Sequence, residues 1–130
     1  MSTQKLLFEQ ETYSIIGACM TVHRKLGVGF LESVYSEALA KELEKRKIPF
    51  VKEKKIELFY DGQKMIKYFK ADFVCFDSLI IEIKSKSCLL KIDEQQTINY
   101  LKATKYQLGL LVNFGESSLK YKRFVNTVKK

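Results

Sequence analysis

Asp72, Glu82 and Lys84 are the residues whose types and spacing best support chemistry in this chain of 130 residues. Glu82 and Lys84 interrupt the apolar stretch SLIIEIKSKS, residues 78–87. Two positions apart on a strand, they share one face. The segment MIKYFKADFVCF, residues 65–76, reads as the partner strand. Its alternation places Phe69, Ala71, Phe73 and Cys75 on one face, and Tyr68, Lys70, Asp72, Val74 and Phe76 on the other. In the next strand Leu79, Ile81 and Ile83 oppose Ile80, Glu82 and Lys84. A slip of one residue turns every side chain over, so apolar face meets apolar face only when paired positions sum to an even number. A loop of Phe76, Asp77 and Ser78 does this. It pairs Cys75 with Leu79, Phe73 with Ile81 and Asp72 with Glu82, and sets Lys84 beside Lys70.

That register brings two carboxylates together with Cβ atoms about 4.5–5.5 Å apart, and like charges so placed are destabilising. A divalent cation between them removes the conflict. Mg²⁺ takes oxygen ligands in octahedral geometry and is commonly held by one or two carboxylates plus water and substrate phosphate. The Lys84 ammonium would then orient an attacking water or stabilise developing negative charge, which is the chemistry of metal-assisted phosphodiester hydrolysis. A cross-strand salt bridge, Asp72 to Lys84 or Glu82 to Lys70, is the alternative that the same residues allow.

The surrounding elements follow from periodicity. Phe8, Thr12, Ile15, Ile16, Cys19, Val22 and Leu26 predict an amphipathic helix over residues 8–26. GVGF then stops it, with Gly27 and Gly29 at the break. Leu31, Val34, Tyr35, Ala38, Leu39 and Leu43 predict a second helix over 31–47, ending before Pro49. FVKEKKIELFY predicts a strand, Asp61-Gly62 a turn, and the two strands above follow. IDEQQTINYLKATK reads as a helix with Asp93 as its N-cap. YQLGLLVNFG reads as a strand apolar on both faces, expected of a central parallel position. Strand, crossover helix and strand imply parallel pairing. SLKYKRFVN predicts a final strand, and the Lys-rich end is expected to fray. The expectation is one α/β domain over residues 1–130, without repeats or linkers.

A formal charge of +8, from 23 Lys and Arg against 15 Asp and Glu, favours polyanionic partners. Cys19, Cys75 and Cys88 are odd in number and far apart, so they read as small core residues of a reduced compartment and suggest neither a disulfide framework nor a metal knuckle. MSTQKLLFEQ has no secretory pattern. No apolar run approaches the roughly 20 residues of a membrane span. A cytoplasmic protein with no membrane partner is expected.

An Asp, about ten residues of hairpin, then Glu-x-Lys in an apolar strand resembles the PD-(D/E)XK phosphodiesterase superfamily, whose fold is that of restriction endonucleases. Ala71 stands where the Pro of that name would be. GFLESVY, residues 29–35, fits the Gly-x-x-Glu-x-x-Tyr pattern of the GxxExxY proteins, and EIKS, QQTINYL and GLLVNFG are also similar to that family. The likeness runs from Ile15 to Val125. It implies a restriction-endonuclease-like core, with a mixed central sheet, an N-terminal helical pair and a crossover helix. It implies a Mg²⁺- or Mn²⁺-dependent nuclease in which Asp72, Glu82 and the backbone carbonyl of Ile83 bind metal. Lys84 would be the catalytic lysine, Glu32 an acid supplied from the preceding helix, and Gln96 a glutamine of the crossover helix. Nucleic acid, with DNA foremost, is the implied partner, and a homodimer is compatible with the family. A catalytically silent nucleic-acid-binding or regulatory protein on the same fold is the alternative. Many relatives carry a His three residues before the glutamine, where this chain has Asp93.

The outer residues also have ordinary roles. Glu32 in a first helical turn stabilises the macrodipole by about 0.3–1 kcal/mol. Asp93 and Gln96 have capping-box spacing. Tyr35 is expected in the core, Tyr100 in the core or stacked on a base, and His23 as a packed or rim residue. Lys45, Arg46, Lys47, Lys52, Lys54, Lys55, Lys64, Lys67 and Lys70 crowd the segments leading to the hairpin. They suit a phosphate-tracking surface or a solvated, aggregation-resistant edge.

Overall fold

The computed structural model describes residues 7–126. Two helices, α1 (Glu9–Leu26) and α2 (Glu32–Lys45), precede a hairpin of long strands, β1 (Phe50–Tyr60) and β2 (Gln63–Cys75). Strand β3 (Leu79–Lys84), helix α3 (Lys91–Lys102), β4 (Leu108–Asn113) and β5 (Lys120–Val125) follow. The five strands form one mixed sheet in chain order. β3 and β4 run parallel, connected through α3, and the other neighbours are antiparallel. This is the α/β architecture expected of a restriction-endonuclease-like core.

Burial explains the layering. Every residue of β4 and all but the last of β3 are buried, as central strands covered on both faces must be. On one face Leu79, Ile81, Ile83, Leu110 and Val112 pack against Ile15, Cys19, Tyr35, Leu39 and Leu43 of the helical pair. On the other, Ile80 packs with Ile56, Phe69, Val74 and Leu101 beneath α3. Each such side chain contributes about 1.5–3 kcal/mol relative to exposure. Turn chemistry fits too: Gly27 and Gly29 take φ of 72° and 106° at the helix break, and Asp61-Gly62 takes 55° and 80° at the hairpin tip.

The expected pairs Cys75–Leu79 and Phe73–Ile81 are present, joined through Phe76 and Asp77, both left-handed. The expected faces of β2 are not. Phe69 and Ala71 lie on the α3 side with Val74, whereas Phe73 and Cys75 lie on the helical-pair side. The strand changes face at Asp72. Opposite it in β1, Glu53 has φ 55°, and the β1–β2 ladder lapses between Lys52–Phe73 and Lys54–Ala71. A left-handed residue in a strand interrupts the two-residue alternation on which the prediction rested, at a cost of about 1–2 kcal/mol. Lys70 pairs with Lys55 of β1, and the β2–β3 ladder ends at Phe73 before reaching it.

Other departures are local. α3 begins after Leu90, with Asp93 one turn inside it rather than at the N-cap. α2 stops at Lys45, and the final strand is the shorter Lys120–Val125. Cys88 is exposed, unlike the buried Cys19 and Cys75. Among the described residues no helix is long and apolar enough to cross a membrane. The expected fraying concerns residues 127–130, and the leader reading rests mainly on residues 1–6; both lie outside the described residues.

Candidate active site

The β2–β3 ladder ends at Phe73–Ile81, and the next positions are Asp72 and Glu82. There the side chains replace the backbone ladder. The Asp72 N–H donates to Glu82 Oε2 at 3.3 Å, and the Ile83 N–H donates to Asp72 Oδ2 at 2.7 Å. Each carboxylate thus satisfies a backbone donor of the opposite strand where the ladder stops. The remaining oxygens, Asp72 Oδ1 and Glu82 Oε1, are not used in these bonds. In a strand the N–H and C=O of one residue project to the same edge. The Ile83 carbonyl is therefore directed toward the β2 side, while the Lys84 carbonyl turns the other way and accepts from the Phe114 N–H at 2.8 Å.

The pair is short of positive charge. Glu82 is only 8% exposed. Burial foremost, and then the Asp72 charge, push its carboxyl from 4.5 up to about 8. Asp72 is also pushed up, mainly by burial, with Glu32 and Glu53 adding to the rise while the Ile83 hydrogen bond and Lys84 oppose it. Glu32, in the first turn of α2, thus acts on both carboxyls. The loop before it is well anchored. Tyr35, fully buried and stacked on Phe114 at 4.8 Å, donates its hydroxyl to the Gly27 carbonyl and accepts from the Phe30 N–H. Ser85 Oγ donates to the Phe30 carbonyl at 2.7 Å, tying the end of β3 to the start of α2.

Lys84 ends β3, partly exposed, and its Nζ makes no ion pair or hydrogen bond among the described residues. The salt-bridge alternative is not formed: the ion pairs of the described residues are Glu42–Arg46, Glu57–Lys64, Asp93–Lys86 and Glu94–Lys122. A clasp missed by sequence reasoning fixes the chain beyond Lys84. Asn113, fully buried, accepts from the Lys86 N–H at 2.9 Å and donates to the Lys86 carbonyl at 3.0 Å. Gly115 lies directly against it; a Cβ there would meet the Lys86 carbonyl oxygen at 2.3 Å. The polar Asn113 closing an apolar strand was the available signal. Gly115→Ala is expected to lower stability by about 1–3 kcal/mol through forced backbone displacement, measured by urea unfolding against wild type, and Ser117→Ala on the neighbouring loop should change it little.

Gln96 makes no hydrogen bond to this cluster among the described residues. It is exposed, and its Nε2 donates to the Tyr100 hydroxyl at 3.3 Å. Tyr100 stacks on Phe69 at 3.7 Å, which gives it a packing role. Asp93 is the α3 residue linked to the β3 end. Its Oδ2 accepts from Lys86 Nζ at 2.7 Å and from the Leu90 N–H at 2.8 Å. Although burial opposes ionisation, these bonds together with the charges of Lys86 and Lys84 hold its carboxyl below the usual range. The expected pairing of Asp93 with Gln96 as a capping box is replaced by this bond to Leu90. His23 packs near Phe114 and bonds the Glu116 carbonyl at 2.8 Å, as a rim residue.

Two carboxylates with free oxygens and a carbonyl turned toward them are a hard-oxygen donor set of the kind that Mg²⁺ or Mn²⁺ accepts. Among the described residues no group of three or more His, Cys, Asp or Glu side chains assembles. The remaining coordination would fall to backbone, water and substrate oxygen. The described residues fit such an ion as a two-carboxylate site.

Comparison with known proteins adds two findings. A family model described as the PD-(D/E)XK nuclease superfamily matches residues 9–124. The crystal structure of a protein described as SSO0001 superposes with a TM-score of 0.59 at 16% identity, covering 94% of this chain and 61% of that one. This chain thus spans less than two thirds of that protein, and the likeness shows a common fold. No curated protein matches significantly.

Proposed function

The chain belongs to the PD-(D/E)XK nuclease superfamily, and on that premise we propose that it is a divalent-metal-dependent nuclease of the GxxExxY group, acting on DNA through Asp72, Glu82 and Lys84. The observation that carries this reading is the interrupted ladder. A hairpin under selection for stability alone would continue the backbone pairing; here it is given up where the two acids reach across to each other's strand backbone.

Asp72, Glu82 and the Ile83 carbonyl would hold Mg²⁺ or Mn²⁺. Bound there, the ion supplies Lewis-acid stabilisation of phosphoryl charge and a more acidic water. Lys84, unpaired and at the mouth of the pair, orients the attacking water and stabilises charge developing on the phosphate. Glu32 adds negative charge that draws a divalent cation toward the pair. Gly29 and Tyr35 set the turn that presents Glu32, giving the GxxExxY spacing a physical basis. Gln96, held by Tyr100, is assigned a substrate-facing role on α3. The lysines of β1 and β2 suit a backbone-tracking surface. The buried free thiols of Cys19 and Cys75 suit a reducing, cytoplasmic setting.

One observation favours a second reading, a nucleic-acid-binding protein without turnover: no third ligating side chain joins the pair among the described residues. Incubation with supercoiled plasmid, linear duplex, single strands and RNA, in Mg²⁺, Mn²⁺ or EDTA, separates the two. Cation-dependent cleavage lost in Glu82→Ala is expected. Salt-dependent binding without cleavage would select the second reading, and equal background cleavage by both proteins would reject the enzyme.

A further inference from the structure

The β1–β2 hairpin outruns its neighbours, with strands of 11 and 13 residues against 6 for β3. Its ladder continues from Lys54–Ala71 to Tyr60–Gln63, beyond the point where β3 stops pairing with β2. One face holds this outer stretch to the body. Ile56 and Phe69, directly opposed, are buried with Leu101, and Leu58 and Tyr100 pack beside them. The opposite face is open. Its rungs are Lys55–Lys70, Glu57–Tyr68 and Phe59–Lys64, and each of these residues is exposed. Alternation in β1 puts Lys55, Glu57 and Phe59 on this face. Two contacts across the strands agree: the Lys64 ammonium meets Glu57 at 3.0 Å, and the Lys55 ammonium lies over the Tyr68 ring at 4.6 Å.

Two features of this face work against a hairpin that serves only itself. Lys55 and Lys70 stand directly opposite each other, and like charges so placed are destabilising. Glu57, the acid of these rungs, is taken by Lys64, and Lys70 has no ion pair or hydrogen bond among the described residues. Phe59 and Tyr68 are the second feature, 60% and 48% exposed on a strand pair whose other face buries its rings. Open rings set among ammonium groups are the combination by which single strands are bound, phosphates on the cations and bases on the ring faces. In a duplex the bases stack on one another and present only their edges in the grooves, so rings of this kind fit an unpaired strand. The face also adjoins the candidate site along the chain. Lys70 is two residues from Asp72, and Glu53, whose charge acts on the Asp72 carboxyl, is two from Lys55.

We propose that the open face of the β1–β2 hairpin binds a single strand of DNA, with phosphate on Lys55 and Lys70 and bases stacked on Tyr68 and Phe59. An anion at the Lys55–Lys70 rung relieves the opposed charges, as a cation does for opposed carboxylates. The choice of DNA rests on the nuclease reading, whereas the binding itself uses none of Asp72, Glu82 and Lys84.

Fluorescence anisotropy of a labelled oligothymidylate with the full chain tests this, in EDTA to prevent cleavage, beside an abasic strand and a duplex of the same length. Wild type is expected to bind the oligothymidylate more tightly than either. Tyr68→Ala and Phe59→Ala should each weaken that binding roughly tenfold and leave the abasic strand's unchanged, while Tyr68→Phe keeps the ring and should bind as wild type does. Lys70→Gln should lower the slope of log K against log salt by about 0.7, the value for one phosphate of a single strand. This substitution removes a like-charge contact, so its slope decides the matter should an aromatic variant fail to fold. Abasic or duplex binding as tight as that of the oligothymidylate overturns the proposal. So does wild-type affinity in folded Tyr68→Ala, or an unchanged slope in Lys70→Gln. The expected binding in a protein that cleaves nothing when Mg²⁺ is restored supports this proposal and rejects the nuclease reading; metal-dependent cleavage without that binding does the reverse.

Discussion

Lys84→Ala is expected to lower metal-dependent phosphodiester cleavage by about 10²–10³-fold, the range seen when one preorganised electrostatic group is removed from a reaction centre. The fold should survive. The backbone of Lys84 is anchored by Phe114 and by the clasp on Lys86. Its side chain makes no hydrogen bond or ion pair among the described residues, so truncation removes no interaction on which the sheet depends. The ammonium does lower both Asp72 and Glu82, so its loss should also shift the rise of activity toward higher pH. Single-turnover rates across pH, beside an unfolding curve, measure both effects. Lys84→Arg keeps the charge but not its compact shape and should recover the pH profile better than the rate. Wild-type rates in Lys84→Ala would remove Lys84 from the chemistry.

Glu82→Gln is expected to abolish cleavage and, in EDTA, to stabilise the protein at pH 8 by on the order of 3–4 kcal/mol. The sign follows from where each state holds its proton. The unfolded carboxyl loses it near 4.5, whereas burial first, and then Asp72, keep it on the folded carboxyl until about 8. Between those values the folded chain binds the extra proton. Its stability from this group is full below pH 4.5, falls as pH rises toward 8, and is level above that. Asp72 is raised as well and steepens the same decline. Asp93 is held low and acts in the opposite sense, losing its contribution as pH falls below 3.8, so it does not mask the trend. Glutamine does not titrate, and the slope should flatten. Urea unfolding at a series of pH values in EDTA reads this directly; superimposable profiles for the two proteins would show that the Glu82 carboxyl is not strained.

Much of the placement of these residues was legible. The β3–β4 parallel pair follows from an apolar strand, a crossover helix and a second apolar strand, and the Cys75–Leu79 register follows from the short turn between them. What escaped was non-local or conformational. No propensity announces that Glu53 adopts a left-handed φ, yet that residue lies opposite the point where β2 changes face. Asp72 and Glu82 still meet, because their carboxylates reach across to each other's strand backbone instead of standing side by side on one face. The clasp of Asn113 on Lys86 joins residues 27 apart in sequence. The type of Asp93 fits an N-cap; it caps the helix from its third position instead, taking the Leu90 N–H and the Lys86 ammonium.

The central claim is that Asp72 and Glu82 form a cation site, and the most direct test is the unfolding midpoint at pH 8 as Mg²⁺ or Mn²⁺ is titrated into wild type, Asp72→Asn and Glu82→Gln. A ligand that binds only the folded state raises the midpoint with its concentration. The account predicts a concentration-dependent rise for wild type and none for either variant. No rise in wild type, or the same rise in all three proteins, would contradict it.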